Sequence, residues 1–534
     1  MVFRKPLSRR GFLRIGAAGA LVVGCGGGDD PDAGTDAGSD AGMADAGRDA
    51  GADAGRDAGT DGGPPLPTLA FPPLEEGTMT GGVRRFGLTM AAGTTQFFEG
   101  VDTTTAGYNG SFLGPALQMR RGESVEIAVE NQLGRVTTTH WHGMHVPAAM
   151  DGGPHQPILD GETWTAAFTV DNAASLCWYH PHAMGDPSQP QATSAQVWTG
   201  LAGLIWVRDD ESDALALPST YGVDDLPLVL MDREFTDAGQ LAPLAVPSDA
   251  MGVRKGGVFL VNGVPSPRHE THAQRIRVRV LNGSNARIYN LALIDAAGED
   301  REFQVIGSDG GLLERPVPLR RLVLSPGERA ELVFDFAADE RQSLRLVSKN
   351  LELSNSLYAG NFIADAYDDL ENRLVTFEVG AATDNPIQTL PSALATLETF
   401  EESAAARTRQ FDLNVPNGEG LHPINGMAMD ISRTDFSVPL DDIEIWEIRN
   451  LTQMAHPFHI HGEPFRVLSR TGLAMDGVPE EETGLKDTTL VRSGEVVRVI
   501  RPFRDFADAD GHFMYHCHIL EHEDRGMMGQ FTVA

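Results

Sequence analysis

Val125-Glu126-Ile127-Ala128-Val129-Glu130-Asn131 carries a branched apolar residue at every second position and ends on asparagine. Successive side chains of a strand point to opposite faces, so a period of two marks a half-buried strand. The pattern returns at Ile276-Arg277-Val278-Arg279-Val280-Leu281-Asn282 and at Ile443-Glu444-Ile445-Trp446-Glu447-Ile448-Arg449-Asn450. Each copy is followed, some 30–45 residues on, by Gly-Glu and another strand-like run, at Gly161-Glu162, Gly327-Glu328 and Gly494-Glu495. Glycine there supplies the turn before the strand. The repeat predicts three copies of one all-β unit, near 70–215, 220–385 and 400–534, in a chain of 534 residues. That length suits about three domains.

The copies diverge after the asparagine. The first continues to His140-Trp141-His142-Gly143, and the third to His456-Pro457-Phe458-His459-Ile460-His461-Gly462. The second has Tyr289-Asn290-Leu291 at the matching place and no histidine. Of 16 histidines, ten fall in four short clusters: His140/His142, His180/His182, His456/His459/His461 and His516/His518/His522. Residues i and i+2 of a strand share a face, so each His-x-His pair can offer two imidazoles to one metal centre. One such pair is weak evidence; four make chance a poor explanation.

The last cluster says most. In His516-Cys517-His518 the histidines face one way and the cysteine the other, so one strand serves two metal sites and supplies a short covalent path for electrons. Cys517 with His456, His522 and a weak axial Met527 is the ligand set of a blue-copper centre. The eight paired histidines then fit a three-copper cluster. Zinc, the competing metal for histidine-rich sites, has no use for a thiolate wired between two histidine pairs.

These four motifs resemble the copper signatures of the multicopper oxidases. The resemblance covers the chain from about residue 70 onward. The stretch His516 through Met528 is its most specific part. The likeness is strongest to bacterial periplasmic copper-efflux oxidases and bacterial laccases, which share His140 through Asp151-Gly152-Gly153-Pro154 and Cys177-Trp178-Tyr179-His180-Pro181-His182. It implies three cupredoxin-like Greek-key β-sandwich domains, the second without copper, and four copper ions. By position the type 1 ligands would be His456, Cys517, His522 and Met527. The type 2 ligands would be His140 and His459, and the type 3 ligands His142, His180, His182, His461, His516 and His518. Asp151 and Glu523 stand where the family places proton-relaying carboxylates; structural acids are the plainer reading. The activity implied is four one-electron oxidations of a small reducing substrate coupled to reduction of O₂ to two waters.

The donor is less constrained. Copper-efflux oxidases carry a Met-rich insert over the type 1 site, and thioethers suit Cu(I). Here the region 385–430 has no such run, and Thr452 replaces an Asp found in that subfamily. Both departures favour laccase-like oxidation of phenols or aryl amines at an open type 1 edge, with Cu(I) as the alternative donor. Met454 is placed to border that edge, with Met427 and Met429 as further candidates. A reading of another class, a copper-free structural or stress protein, requires substituted ligands, and no ligand position is substituted. Histidines outside the motifs (His145, His155, His269, His272, His422, His512) read mostly as surface groups, and Cys177 as a buried, inert thiol.

Outward again lies the N-terminus. Ser8-Arg9-Arg10-Gly11-Phe12-Leu13 precedes an apolar run from Ile15 to Gly24. A twin-arginine pair ahead of so short a run predicts an export signal over 1–25 rather than a span of the roughly 30 Å bilayer core. Val22-Val23-Gly24-Cys25 resembles a lipobox, and residues 26–69 contain Asp-Ala-Gly repeats with little to bury, which predicts a disordered tether. The expectation is a periplasmic or cell-envelope lipoprotein, acting as a monomer and touching a membrane only through its lipid; Gly26 leans towards the outer membrane. The three cysteines, Cys25, Cys177 and Cys517, sit in unrelated contexts, which argues against a disulfide framework. The formal net charge is −33, and the chain beyond the tether carries most of it. Such an acidic surface excludes nucleic acid as a partner.

Overall fold

In a computed structural model of the protein, residues 66–244, 253–353, 371–472 and 477–534 are described. The leader, Cys25 and nearly all of the tether lie outside them. Strands dominate and pair into six sheets. Two sheets draw their strands from 74–208, two from 225–380 and two from 407–533, each pair enclosing its own apolar core. The three repeats are therefore three β-sandwiches of cupredoxin type. Leu69, at the end of the stretch read as tether, is buried in the core of the second sandwich, and its N–H donates to Arg268 O at 2.8 Å.

The repeated strand has one role in every copy. Ser124–Gln132, Arg275–Asn282 and Ile443–Asn450 each run parallel to an earlier strand on one side. On the other side each pairs antiparallel with the strand that comes after its Gly-Glu. The asparagine explains why the motif ends there. Asn282 Nδ2 donates to Arg287 O (2.8 Å) and Leu324 O (2.9 Å), while its Oδ1 accepts from Ser284 N (3.0 Å). Asn131 binds Arg135 O, Ile158 O and Leu133 N in the same way. Asn450 binds Met454 O, Val491 O and Thr452 N. Each asparagine thus pins the loop leading to the strand where a histidine motif can sit. Its backbone closes on the turn: the N–H groups of Gly161, Gly327 and Gly494 donate to Asn131 O, Asn282 O and Asn450 O. All three glycines have φ between +72° and +85°, which a side chain would strain.

Asn282→Ala is expected to leave three buried backbone groups without partners. Each such group costs about 1–3 kcal/mol. The check is urea unfolding of the copper-free protein, followed by tryptophan fluorescence and circular dichroism, where a lower midpoint at an unchanged slope is expected.

Candidate metal centre

Strand pairing brings the histidines together. His140–His142 pairs antiparallel with Ser175–His180, so His140 stands opposite His180. In the third sandwich His456–Ile460 pairs with Asp508–Cys517, which sets His459 opposite His516 and Phe458 opposite Cys517. The first and third sandwiches meet on these strands, and eight buried imidazoles converge. The His142 and His459 rings stack at 3.8 Å, and those of His140 and His461 at 4.0 Å. His516 Nε2 lies 3.2 Å from both His182 Nε2 and His461 Nε2. The nitrogens of His140/His142/His180, His140/His459/His461 and His182/His461/His516 each lie within 4.8 Å of one another.

Three carboxylates hold these rings from behind, each bridging a histidine of the first sandwich to one of the third. Asp151 Oδ2 accepts from His461 Nδ1 at 2.7 Å, and its Oδ1 lies 3.3 Å from His140 Nδ1. The Glu523 oxygens lie 3.5 Å from His182 Nδ1 and 3.4 Å from His516 Nδ1. Asp487 Oδ1 lies 3.1 Å from His142 Nε2, and its backbone oxygen is 2.9 Å from His459 Nδ1. His180 Nδ1 instead faces Pro181 O at 2.8 Å.

The inner nitrogens point at one another. His140 Nε2, His142 Nδ1, His180 Nε2, His459 Nε2 and both nitrogens of His518 are buried with no hydrogen-bond partner among the described residues. Buried polar atoms are rarely left so. Burial also drives seven of the eight imidazoles towards the neutral form. It pushes His461 down to about 3 and lowers His142, His180, His182, His516 and His518 strongly. Neutral rings with inward lone pairs are metal ligands in waiting, and their number fits more than one ion.

The carboxylates differ in charge. Burial alone would raise Asp151, but its contacts with His140 and His461 hold it below the usual carboxylate range. Burial, with Asp524 close by, pushes Glu523 well above that range. The surroundings therefore favour the ionised form of one acid and the protonated form of the other.

The second centre lies on the other side of Cys517. Its Sγ is 3.4 Å from His456 Nδ1 and 3.8 Å from His522 Nδ1, and it accepts from Ile519 N at 3.4 Å. Met527 is buried in the same core, and Cys517 N donates to Met527 O at 3.0 Å. The three nitrogen and sulfur atoms form a further candidate metal group. Burial raises the Cys517 thiol, so a bound cation is what would make it a thiolate.

The expectation of an open edge here is not met. His522 is 0% exposed and stacks at 4.1 Å on His422, itself only 4% exposed; Thr452 Oγ1 sits 2.7 Å from His456 Nε2. His422, His145 and His269 are buried rather than on the surface. Met454 does pack against the third core near this site, while Met427 is exposed. Cys177 is buried, its thiol pushed up to about 11 chiefly by burial.

Sequence reading missed Asp487. Nothing in Lys486-Asp487-Thr488 has histidine-like spacing. The residue reaches the site because Thr488–Val491 pairs with the His456 strand, setting Thr488 opposite His459. A strand assignment around 488 is the one signal that could have found it.

Comparison with known proteins agrees with this arrangement. Two family models described as multicopper oxidase match residues 89–212 and 390–534, the first and third sandwiches. The chain is 33% identical over 471 residues to a multicopper oxidase mco of Staphylococcus haemolyticus, covering 87% of this chain and 92% of that protein. It is 32% identical over 447 residues to the cell division protein FtsP of Xenorhabdus nematophila, covering 80% and 84%. The fold superposes on a bacterial laccase-like multicopper oxidase, CueO, from a lignin-degrading Ochrobactrum sp. with a TM-score of 0.75 and 35% identity, over 88% of this chain and 100% of that one. That enzyme has oxidase activity towards lignin model compounds and lignosulfonate.

Proposed function

The chain belongs to the multicopper oxidases, and from that premise we propose that it holds four copper ions and oxidises phenols or aryl amines at the expense of O₂. It is a copper-binding oxidoreductase that takes electrons from a reducing substrate and uses O₂ as acceptor. The finer assignment is ours. His456, Cys517, His522 and Met527 hold the type 1 ion. His140 and His459 hold the type 2 ion, and His142, His180, His182, His461, His516 and His518 the type 3 pair. The observation that carries it is the convergence of eight buried imidazoles, six of them with a buried nitrogen that has no hydrogen-bond partner among the described residues. Likeness to a protein named for cell division means that overall similarity does not select an oxidase; the intact ligand set does.

Copper supplies the one-electron steps and the site at which O₂ is reduced. The chain supplies everything else. Cys517 is bonded through its backbone to His516 and His518, so an electron reaching the sulfur has a covalent route to two histidines of the other centre. The buried walls keep water and stray reductants from the cluster. Four protons are needed per O₂. Glu523, protonated between His182 Nδ1 and His516 Nδ1, can donate one and be recharged. Asp151, ionised between His140 and His461, fixes those rings and can accept one.

Exposed apolar side chains around this centre favour an organic donor. Val415, Met427 and Leu451 are exposed large hydrophobics on the loops around this centre, and Thr452 offers no charge to a cation. We also propose that residues 1–25 are a twin-arginine signal ending in a lipidated Cys25, that 26–69 tether three domains near 70–215, 220–385 and 400–534, and that the protein works as a monomer in the cell envelope. No helix among the described residues is long and apolar enough to cross a membrane.

The test is O₂ uptake by the copper-loaded protein with a dimethoxyphenol or with Cu(I), each with and without added Cu(II). Phenol turnover without added Cu(II), and slow Cu(I) turnover, is expected. Rapid Cu(I) turnover, with phenol oxidised only when Cu(II) is present, would make it a cuprous oxidase.

A further inference from the structure

The second sandwich has no histidine at the strand that bears copper motifs in its neighbours, yet it reaches the cluster. Its Gly-Glu turn, Gly327-Glu328, lies against His518, and the residue after it, Arg329, lies against Asp487. A Cβ on Gly327 would come within 2.9 Å of the His518 ring, at φ +85°. Arg329 is fully buried, and all five of its N–H donors find acceptors. Nη1 and Nη2 fork onto Asp487 Oδ1 (2.7 Å) and Oδ2 (2.5 Å). The same nitrogens reach Gly327 O (3.0 Å) and Asp309 O (3.1 Å), and Nε reaches Leu176 O (2.9 Å) on the strand that carries His180.

We propose that Arg329 is a positioning residue for the copper cluster: it locks Asp487 by a bidentate fork, and Asp487 in turn orients His142 and His459. A fork fixes a carboxylate in plane as well as in place, which a lysine cannot do. The locked plane aims Asp487 Oδ1 at His142 Nε2 and leaves Nδ1 of that ring turned inward. The glycine of His140-Trp141-His142-Gly143 fits this role. A Cβ there would lie 2.6 Å from Arg329 Nη2 and 3.0 Å from Asp487 Oδ2, so a side chain would break the fork. Arg329 thus ties the first sandwich, through Leu176, and the third, through Asp487, to the copper-free second one at the point where the cluster forms. The inference rests on His142 and His459 being copper ligands.

Arg329→Met and Arg329→Lys test it in the full-length protein, through copper per chain, blue absorption from the Cys517 centre and the near-ultraviolet band of a bridged copper pair. Loss of a partner behind a metal ligand costs about 10–100-fold in metal affinity. Arg329→Met is therefore expected to lose the near-ultraviolet band and its cluster copper at a chelator concentration that leaves the parent protein loaded, with the blue absorption at full strength. Arg329→Lys, which keeps the charge and loses the fork, should be intermediate. If Arg329→Met holds its cluster copper like the parent, or loses blue absorption in step with it, the positioning role is overturned; the second result would mean general packing. Should Arg329→Met not fold, Arg329→Lys decides by the same criteria. A parent protein that takes up no copper would remove the ligand assignment and this inference together; a loaded parent with unchanged variants removes this inference alone.

Discussion

Cys517→Ser is expected to abolish O₂ uptake with every donor while leaving a folded protein that still binds copper. The strand that carries the sulfur joins the two centres: it includes His516, and the next residue after Cys517 is His518. Serine keeps the shape, and Ile519 N remains to bond its hydroxyl. A hydroxyl is too weak an acid and too hard a ligand to replace a thiolate on copper. The other core cysteine cannot substitute, because Cys177 is buried in the first sandwich, 3.6 Å from Ser175 Oγ. Metal analysis should fall from about four to about three coppers per chain, since the eight paired histidines are untouched. The blue absorption should vanish and the near-ultraviolet band of the coupled pair should remain. Persisting uptake would mean that electrons reach the cluster by another route and would remove the role given to the His516-Cys517-His518 strand.

The parts of this site legible in the sequence are those that one strand encodes by itself. A strand shows alternate residues on one face, so His140/His142 or His516/His518 can be read as a pair without knowing what the strand packs against. Cys517 facing away from its neighbours is legible for the same reason. The triplicated strand with its terminal asparagine was readable as a repeat. Its cause, a side chain bonding the same three backbone positions in each copy, needed coordinates. Asp151 and Glu523 were found through the family likeness of the motifs around them, not from spacing.

What stayed hidden depends on register between strands distant in sequence or on packing between sandwiches. Asp487 lies 345 residues from His142, which it bonds, and Arg329 is 158 residues from Asp487. No periodicity within either segment encodes those meetings. His422 was read as a surface group because it lies outside the four histidine motifs. Its segment folds back so that His422 N bonds Arg525 O, which places the ring on His522. The copy without histidines has the same Gly-Glu turn, and that turn backs the cluster. A repeat unit that holds no ligand can still supply surface that orients those of its neighbours.

Glu523→Gln should slow turnover by about 10²–10⁴-fold, the usual worth of a positioned acid, with copper content unchanged. The amide preserves the bridge between His182 and His516 in shape, so the rings should stay aimed, but it has no acidic proton to give. The same variant has a stability signature of opposite sign. Burial, helped by the nearby Asp524, raises the Glu523 pKa in the folded protein, whereas an unfolded glutamate ionises near 4.3. Above that pH the unfolded chain releases a proton that the folded one retains, so this group costs stability progressively as pH rises from about 4 towards its folded value. Glutamine removes that cost. Copper-free Glu523→Gln should therefore resist urea better than the parent at pH 7, and the advantage should disappear below about pH 4, where both states of the parent are protonated. A group that merely propped up the fold would lower both stability and rate when changed. Slower turnover together with greater stability at neutral pH is expected only if Glu523 is held protonated for its use as an acid. A variant that turns over like the parent would return Glu523 to a structural role.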